Sequence, residues 1–115
     1  MAYYLFQYSY TAEAWAALSR NPQDNSKTFA SLFEKLGGSL INFFFCFGEY
    51  DLIAIADLPD DVMVAAGVLA TVAPGQIKEH KITKLLTIHE MQKALATSGG
   101  INYKGPVNSI LVKKV

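Results

Sequence analysis

The chain has few of the side chains on which metal-dependent or charge-driven function depends. Its 115 residues include one cysteine and two histidines, and charged residues make up 17% of them. One cysteine cannot form an internal disulfide, and this set makes no recognisable zinc-ligand spacing. Lysine plus arginine equals aspartate plus glutamate at 10 each, so the basic stripe of a nucleic-acid-binding protein is missing. We therefore predict no metal site and no nucleic-acid partner.

Membrane-spanning runs and the common cofactor motifs are missing as well. No apolar run approaches the roughly 20 residues that cross a bilayer, and the first residues lack the basic region of a signal peptide. The chain contains no phosphate-binding loop, no dinucleotide-binding glycine motif and no G-x-S-x-G hydrolase motif. We therefore predict a cytoplasmic protein without a cofactor and without a membrane partner.

Apolar residues are plentiful, at 51% of the chain, and residues 39–59 hold a dense group of them. This stretch predicts two antiparallel strands joined by a tight turn, because apolar runs bounded by glycine and proline are typical of strands. A strand with one solvated face alternates apolar and polar residues, and neither strand does so. Strict alternation puts Phe43 and Phe45 on one face, and Leu40 and Phe44 on the other. We expect both faces to be covered, one of them by a second copy of the chain.

The segment before this hairpin predicts one strand and two helices. The predicted order is a strand at 3–10, a short helix at 12–19 and a longer helix at 25–36. By the two-residue period of a strand, one face of the first strand is aromatic: Tyr4, Phe6, Tyr8 and Tyr10. The Asn21-Pro22 pair separates the two helices, because the residue before a proline avoids the helical region.

The segment after the hairpin predicts a helix, a strand and a second helix. The predicted bounds are 59–73 for the first helix, 77–84 for the strand and 88–96 for the last helix. In the first helix, one apolar face carries Val62, Ala65, Ala66 and Leu69 and the rest is nearly as apolar, which indicates burial on more than one side. The strand is the most polar of the four, which suits a sheet edge. Thr87 and Glu90 predict a capping box for the last helix.

The resulting order, β-α-β-β-α-β, is the ferredoxin-like pattern of an α+β protein. Right-handed crossovers put both long helices on one face of a four-stranded antiparallel sheet and leave the other face bare. We predict a domain at 1–100, with an extra helix at its end, and an extension at 101–115 in which 110–112 form a short strand or wrap another subunit. Because the bare face is apolar, two sheets should stack face to face as a dimeric α/β barrel.

Several short motifs in this order resemble those of the GYD domain family, small bacterial and archaeal proteins grouped with the dimeric α/β barrels. The matching residues are Tyr10-Thr11-Ala12-Glu13, Leu36-Gly37-Gly38, Phe47-Gly48-Glu49-Tyr50-Asp51 and Pro59-Asp60-Asp61. The resemblance covers about residues 3–95 and leaves out the tail. Because the family has no settled activity, the resemblance implies a fold and dimerisation and names no reaction.

Five residues are candidates for a binding or catalytic role: Tyr8, Trp15, Tyr50, Asp51 and His80. Asp51 either caps the turn by accepting backbone N–H groups, which we favour, or serves a ligand or a proton transfer. Tyr50 either covers the end of the sheet or bonds a ligand. His80 either points outward, which its charged neighbours favour, or faces the helices as a base.

The aromatic residues leave three functions open. Such a set is more often core or dimer interface, but it also fits an apolar pocket between sheet and helices with a few hydroxyls, its mouth at the Asn21-Pro22 break. The first hypothesis is a homodimer or higher homo-oligomer that binds a small apolar or aromatic molecule. The second is an enzyme, since similar dimeric α/β barrels include cofactor-independent oxygenases and isomerases, which is an analogy of fold alone. The third is a structural or regulatory oligomer. A deep enclosed pocket that holds His80 or Asp51 favours the enzyme, a pocket with hydroxyls and no titratable group favours binding, and a filled core favours the third.

Overall fold

The computed structural model describes residues 1–106, which form four strands and four helices in the predicted order. The strands are β1 (Ala2–Tyr10), β2 (Ser39–Phe45), β3 (Leu52–Leu58) and β4 (Ile77–Leu85). The helices are α1 (Ala12–Arg20), α2 (Ser26–Lys35), α3 (Asp61–Val72) and α4 (Ile88–Gly99). The strand predicted at 110–112 lies outside the described residues.

The four strands form one antiparallel sheet in the order β2-β3-β1-β4. This is the predicted ferredoxin-like arrangement, and the polar strand β4 lies at an edge as expected. One face of the sheet is covered by helices and carries the aromatic side chains of β1, of which Tyr4, Phe6 and Tyr8 are buried. Phe33 of α2 packs its ring 5.0 Å from that of Phe6. Along β3 the side chains on this face are fully buried: Leu52, Ala54, Ala56 and Leu58.

A bulge at Ile41 changes the predicted faces of β2. Leu40 pairs with Ala56 and Phe43 with Ala54, while the register shifts between residues 40 and 42. The extra residue puts Leu40 on the helix-covered face together with Phe43, where strict alternation separates them. Phe44 pairs with Ile53 and lies on the opposite face, with 57% of its surface exposed. The prediction that Leu40 and Phe44 lie on the same face of the sheet is therefore wrong.

The turn between α2 and β2 brings the chain back toward the sheet within two glycines. The N–H of Gly37 donates to the carbonyl of Glu34, and the N–H of Gly38 donates to that of Phe33. These two bonds and the φ of 86° at Gly37 make a Schellman motif. A Cβ on Gly38 would lie 1.8 Å from the backbone oxygen of Asp57 in β3, so β2 enters the sheet in direct contact with its neighbour.

Helix α3 has exposed apolar side chains as well as buried ones. Val64 and Gly67 are its buried residues, whereas Val62 and Leu69 are about 70% exposed. The apolar face formed by residues 62, 65, 66 and 69 is therefore not the face that α3 buries. A helix that is apolar all round gives no periodic signal of its orientation; here the orientation follows the small Gly67, whose added Cβ would meet Leu36 at 3.0 Å.

The second face of the sheet has no helix on it in the unit Met1–Leu85, one of two compact units of the chain. It carries Leu5 of β1 and Ile53 and Ile55 of β3, which are half-buried, beside the exposed Phe44. We call this surface the open face. The second unit, Leu86–Val115, contains α4, whose first turn has both bonds of the predicted Thr87–Glu90 capping box.

Candidate functional site

The loop between β2 and β3 is tied to the corner where β1 meets α1. Its last residue, Asp51, accepts hydrogen bonds at one oxygen, Oδ2, from the backbone N–H of Tyr10 at 2.9 Å and the indole N–H of Trp15 at 3.1 Å. The N–H of Asp51 donates to the carbonyl of Tyr8, and the hydroxyl of Ser9 donates to the carbonyl of Glu49. We call the bonds of Asp51 to Tyr10 and Trp15 the hairpin clamp.

The clamp differs from the capping arrangement favoured for Asp51. The expected partners are the N–H groups of its own turn, whereas the observed ones belong to a neighbouring strand end and a helix 36 to 41 positions away in sequence. The backbone of the loop is closed instead by the N–H of Cys46, which donates to the carbonyl of Asp51 at 2.8 Å. A carboxylate that accepts two such donors is stabilised in this place, so Asp51 joins three parts of the chain.

A surface cavity of about 510 Å³ adjoins the clamp, and Trp15 and Asp51 both line it. Its other walls are Phe45, Cys46 and Phe47. The ring of Trp15 stands 6.3 Å from that of Phe45 and 5.4 Å from that of Tyr10. The structure therefore brings two of the five predicted site residues together at one cavity.

The other three predicted site residues do not line this cavity. Tyr8 is buried, and its hydroxyl shares a 2.7 Å hydrogen bond with that of Thr71 in α3; burial raises the pKa of the Tyr8 hydroxyl above its ordinary value. Tyr50 is half-buried, and its carbonyl accepts from the thiol of Cys46. His80 is exposed, as its charged neighbours favour, but its pairing with the buried Tyr8 places it on the helix-covered side of the edge strand.

A larger groove, of about 650 Å³, lies between α2 and the C-terminal half of α3, over the end of the sheet. Apolar side chains line much of it: Phe29, Leu32, Ala70, Pro74 and Ile77. Four residues that carry hydroxyl groups also line it: Tyr10, Thr28, Ser31 and Thr71. We call this cavity the α2–α3 groove. It is a cavity between the sheet and the helices, as the pocket alternative expects, and none of the five predicted residues lines it.

The charged residues that line the groove within residues 1–106 are of one sign. They are Lys27 and Lys35 of α2, and no aspartate, glutamate or histidine in that part of the chain lines it. Lys27, Ser31 and Lys35 follow each other at intervals of four residues, so they form one column along the helix. The groove therefore offers hydroxyl donors and two cations beside an apolar wall.

Tyr10 connects the clamp with the groove. Its backbone N–H is held by Asp51, while its ring lines the groove and its hydroxyl accepts a 3.4 Å hydrogen bond from the amide of Asn25. Burial raises the pKa of the Tyr10 hydroxyl. Tyr10 and Asn25 also line a smaller cavity of about 390 Å³ that includes Asn21, so the break between α1 and α2 lies next to the groove.

Sequence reasoning missed the groove because its residues look ordinary in the sequence. Lys27, Thr28 and Ser31 read as the solvated side of an amphipathic helix. Thr71 interrupts the otherwise apolar α3, and this single hydroxyl near the end of an apolar helix is the one signal that points toward the groove. Within residues 1–106, no cluster of three or more histidine, cysteine, aspartate or glutamate side chains is arranged to hold a metal ion. None of the helices among those residues has the length and apolar character needed to traverse a bilayer.

Comparison with known proteins supports a family and a fold. The model of a family described as GYD domain matches residues 4–95, and no curated protein sequence matches the chain. Among solved structures, MtbAldR is similar with a TM-score of 0.54 at 12% identity, over 76% of this chain and 54% of that one. FFRP-DM1 gives a TM-score of 0.46 at 13% identity, over 75% of this chain and 100% of that one. The chain thus spans about half the length of MtbAldR, and the likeness shows the fold alone.

Proposed function

The chain belongs to the GYD domain family, and within that family we propose that it is a homo-oligomeric module that binds a small apolar or aromatic molecule in the α2–α3 groove. The observation that carries this proposal is the groove itself. Its volume of about 650 Å³ falls within the range of about 300–1,000 Å³ that is usual for small-molecule sites. Its apolar wall with a few hydroxyls has the composition expected of such a site.

The groove favours binding over catalysis. A cofactor-independent oxygenase or isomerase needs a group that gains or loses a proton near neutral pH, most often histidine or a carboxylate. The groove residues include neither, and the Oδ2 atom of Asp51 is occupied by two hydrogen bonds in the clamp. An enzyme of that type, and a purely structural or regulatory oligomer, remain the alternatives that a ligand experiment distinguishes.

A neutral aromatic probe tests the groove directly. We expect 1-naphthamide, added to the full chain labelled with ¹⁵N, to shift the amide signals of groove residues such as Ser31 and Thr71. Ala70→Phe places a ring in the groove and should abolish these shifts. Ala16→Phe, at an exposed position of α1 that does not line the groove, is the matched control and should retain them. Shifts confined to other surfaces, or unaffected by Ala70→Phe, would contradict the proposed site.

The homo-oligomer is proposed to form through the open face, as two sheets stacked in a dimeric α/β barrel. Half-buried Ile53 and Ile55 and the exposed Phe44 support this arrangement, because an apolar sheet face of this kind is usually covered. Because of the bulge at Ile41, Phe44 lies on the open face and Phe43 on the helix-covered face. Phe44→Lys should therefore give a folded monomer. Phe43→Lys should instead unfold the chain, because the ring of Phe43 packs 5.3 Å from that of Phe29.

Light scattering at micromolar concentration, together with circular dichroism, measures both results. A monomer for the unmodified chain would reject the dimer.

The same proposal includes two further parts. One is the division into a domain at 1–100 and an extension at 101–115, and the other is the cytoplasmic location. Truncation after Gly100 should leave the secondary structure intact, and global unfolding would place the extension within the core.

A further inference from the structure

The column of Lys27, Ser31 and Lys35 carries an inference about which molecules the α2–α3 groove selects, and this inference rests on the proposed binding function. We propose that the preferred ligands are small amphipathic anions, namely aromatic or aliphatic carboxylic acids. In this arrangement the carboxylate lies over Ser31, within reach of both lysines, and the apolar part lies against Phe29 and Leu32.

The spacing of the column supports a single anionic site. Side chains four residues apart on a helix are neighbours, with Cβ atoms about 5–6 Å apart. Ser31 is such a neighbour of both lysines, so a carboxylate that accepts from the Ser31 hydroxyl has an ammonium group on either side. The two lysines themselves are about two helical turns apart, about 12 Å along the axis, and both line the groove.

The charges at the groove also favour an anionic ligand. Among residues 1–106, two lysines line the groove and no aspartate or glutamate does, and two such charges favour anions over neutral or cationic molecules. Asp24 is the last carboxylate in the chain before α2 begins at Ser26. It accepts hydrogen bonds from both the N–H and the hydroxyl of Ser26. These bonds first, and Lys27 to a lesser extent, keep the pKa of Asp24 below its ordinary value. Lys27 thus has a partial counter-charge outside the groove, and Lys35 is expected to contribute more to anion binding.

The apolar wall distinguishes an amphipathic anion from inorganic phosphate or sulfate. Phe29 and Leu32 lie on the same helix as the column, and Ile77 faces them from the start of β4. Burying apolar surface of a ligand against these residues contributes about 25 cal/mol for each Å² removed from water. An anion without an apolar part forgoes this contribution, so inorganic phosphate should bind far more weakly than an aromatic acid.

A matched pair of probes tests the inference on the full chain: 1-naphthoate and 1-naphthamide have nearly the same shape and differ in charge. We expect naphthoate to bind about tenfold more tightly at low salt and to lose this advantage at about 1 M salt, where charges are screened within about 3 Å. Lys35→Gln should weaken naphthoate about threefold, and Lys27→Gln with Lys35→Gln about tenfold, with naphthamide unchanged. The control that removes two charges elsewhere, Lys78→Gln with Lys93→Gln, should leave both affinities unchanged.

Calorimetric titration measures these affinities, and ¹⁵N amide shifts confirm where each probe binds. Ser31→Asp provides a second variant: it places a carboxylate between the lysines and should reverse the preference in favour of naphthamide. Equal affinities for both probes, with shifts in the groove, would overturn the inference and leave the proposed binding function standing. If neither probe shifts the signals of groove residues, both the inference about anions and the proposed binding function are overturned.

Discussion

The hairpin clamp and the α2–α3 groove lie on either side of Tyr10, and they use polar side chains in opposite ways. At the clamp, one oxygen of Asp51 accepts two donors from the same chain. At the groove, Lys27, Ser31 and Lys35 line open space. Polar groups that are paired internally stabilise a fold, whereas polar groups beside an apolar cavity are available to a ligand. Within the conspicuous Gly-Glu-Tyr-Asp motif, Asp51 is thus paired inside the chain, whereas the groove that we propose as the site has no motif.

The largest effect is expected at the clamp. Asp51→Ala removes the oxygen that accepts from the N–H of Tyr10 and the indole of Trp15, so both donors lose their partner. We expect the free energy of unfolding to fall by about 1–3 kcal/mol. Asp51→Asn keeps a carbonyl oxygen that can accept both bonds, and it should cost less than half as much. Urea unfolding of the three proteins measures the difference, and equal stability of Asp51→Ala and the unmodified chain would show that the clamp stabilises nothing.

Thr71 combines the two uses of a polar side chain, because it lines the groove and also bonds Tyr8 within the chain. Thr71→Val leaves the buried Tyr8 hydroxyl without this partner, and we expect a loss of about 1–2 kcal/mol. The combination of Thr71→Val with Tyr8→Phe removes both polar groups and should recover part of that loss. Thermal or urea unfolding of the single and double variants gives the coupling energy, and strictly additive losses would contradict an interaction between the two hydroxyls.

The tyrosines of the covered face predict a loss of stability at alkaline pH. Burial raises the pKa of the Tyr8 and Tyr10 hydroxyls above the ordinary value of 10.0. The folded chain then holds these protons more tightly than the unfolded chain does. The stability they contribute is fully present below pH 10 and is lost as the pH rises through the raised pKa values. Tm measured between pH 8 and 11 should fall above pH 10, and Tyr8→Phe should make that fall shallower; an unchanged slope would contradict this assignment.

The smallest effect on stability is expected in the groove. Ser31 is exposed on α2, so Ser31→Ala should change the free energy of unfolding by no more than about 0.5 kcal/mol, while 1-naphthoate loses an expected donor. Unfolding and calorimetric titration of the same preparation measure both quantities. A large loss of stability would place Ser31 among the structural residues and break the contrast between the two regions.

The features that could be predicted from the sequence are the ones set by local interactions. The aromatic face of β1 follows from a two-residue period, and the caps at Thr11 and Thr87 follow from side chains that reach N–H groups three residues away. The family motifs and the order of elements gave the sheet topology. None of these depends on which distant segment lies opposite.

The features that could not be predicted depend on distant partners. The bulge at Ile41 exists only relative to β3, and the orientation of α3 is decided by the fit of Gly67 against Leu36, because its own pattern is uniform. Asp51 was identified as a residue of interest, but its partners are brought to it by the pairing of β1 with β3. The groove combines two helices and two strand ends, so no short stretch of sequence contains it.

The two glycines between α2 and β2 have a consequence for how this chain tolerates genetic change. Gly37 is held by its backbone conformation, which asparagine and aspartate also adopt, and its added Cβ would meet only the ring of Pro59, at 3.3 Å. Gly38 is held by the contact with the backbone of Asp57, which cannot give way without separating β2 from β3. In a library in which both codons are randomised and folded protein is selected, position 37 should return asparagine and aspartate beside glycine. Position 38 should return glycine alone.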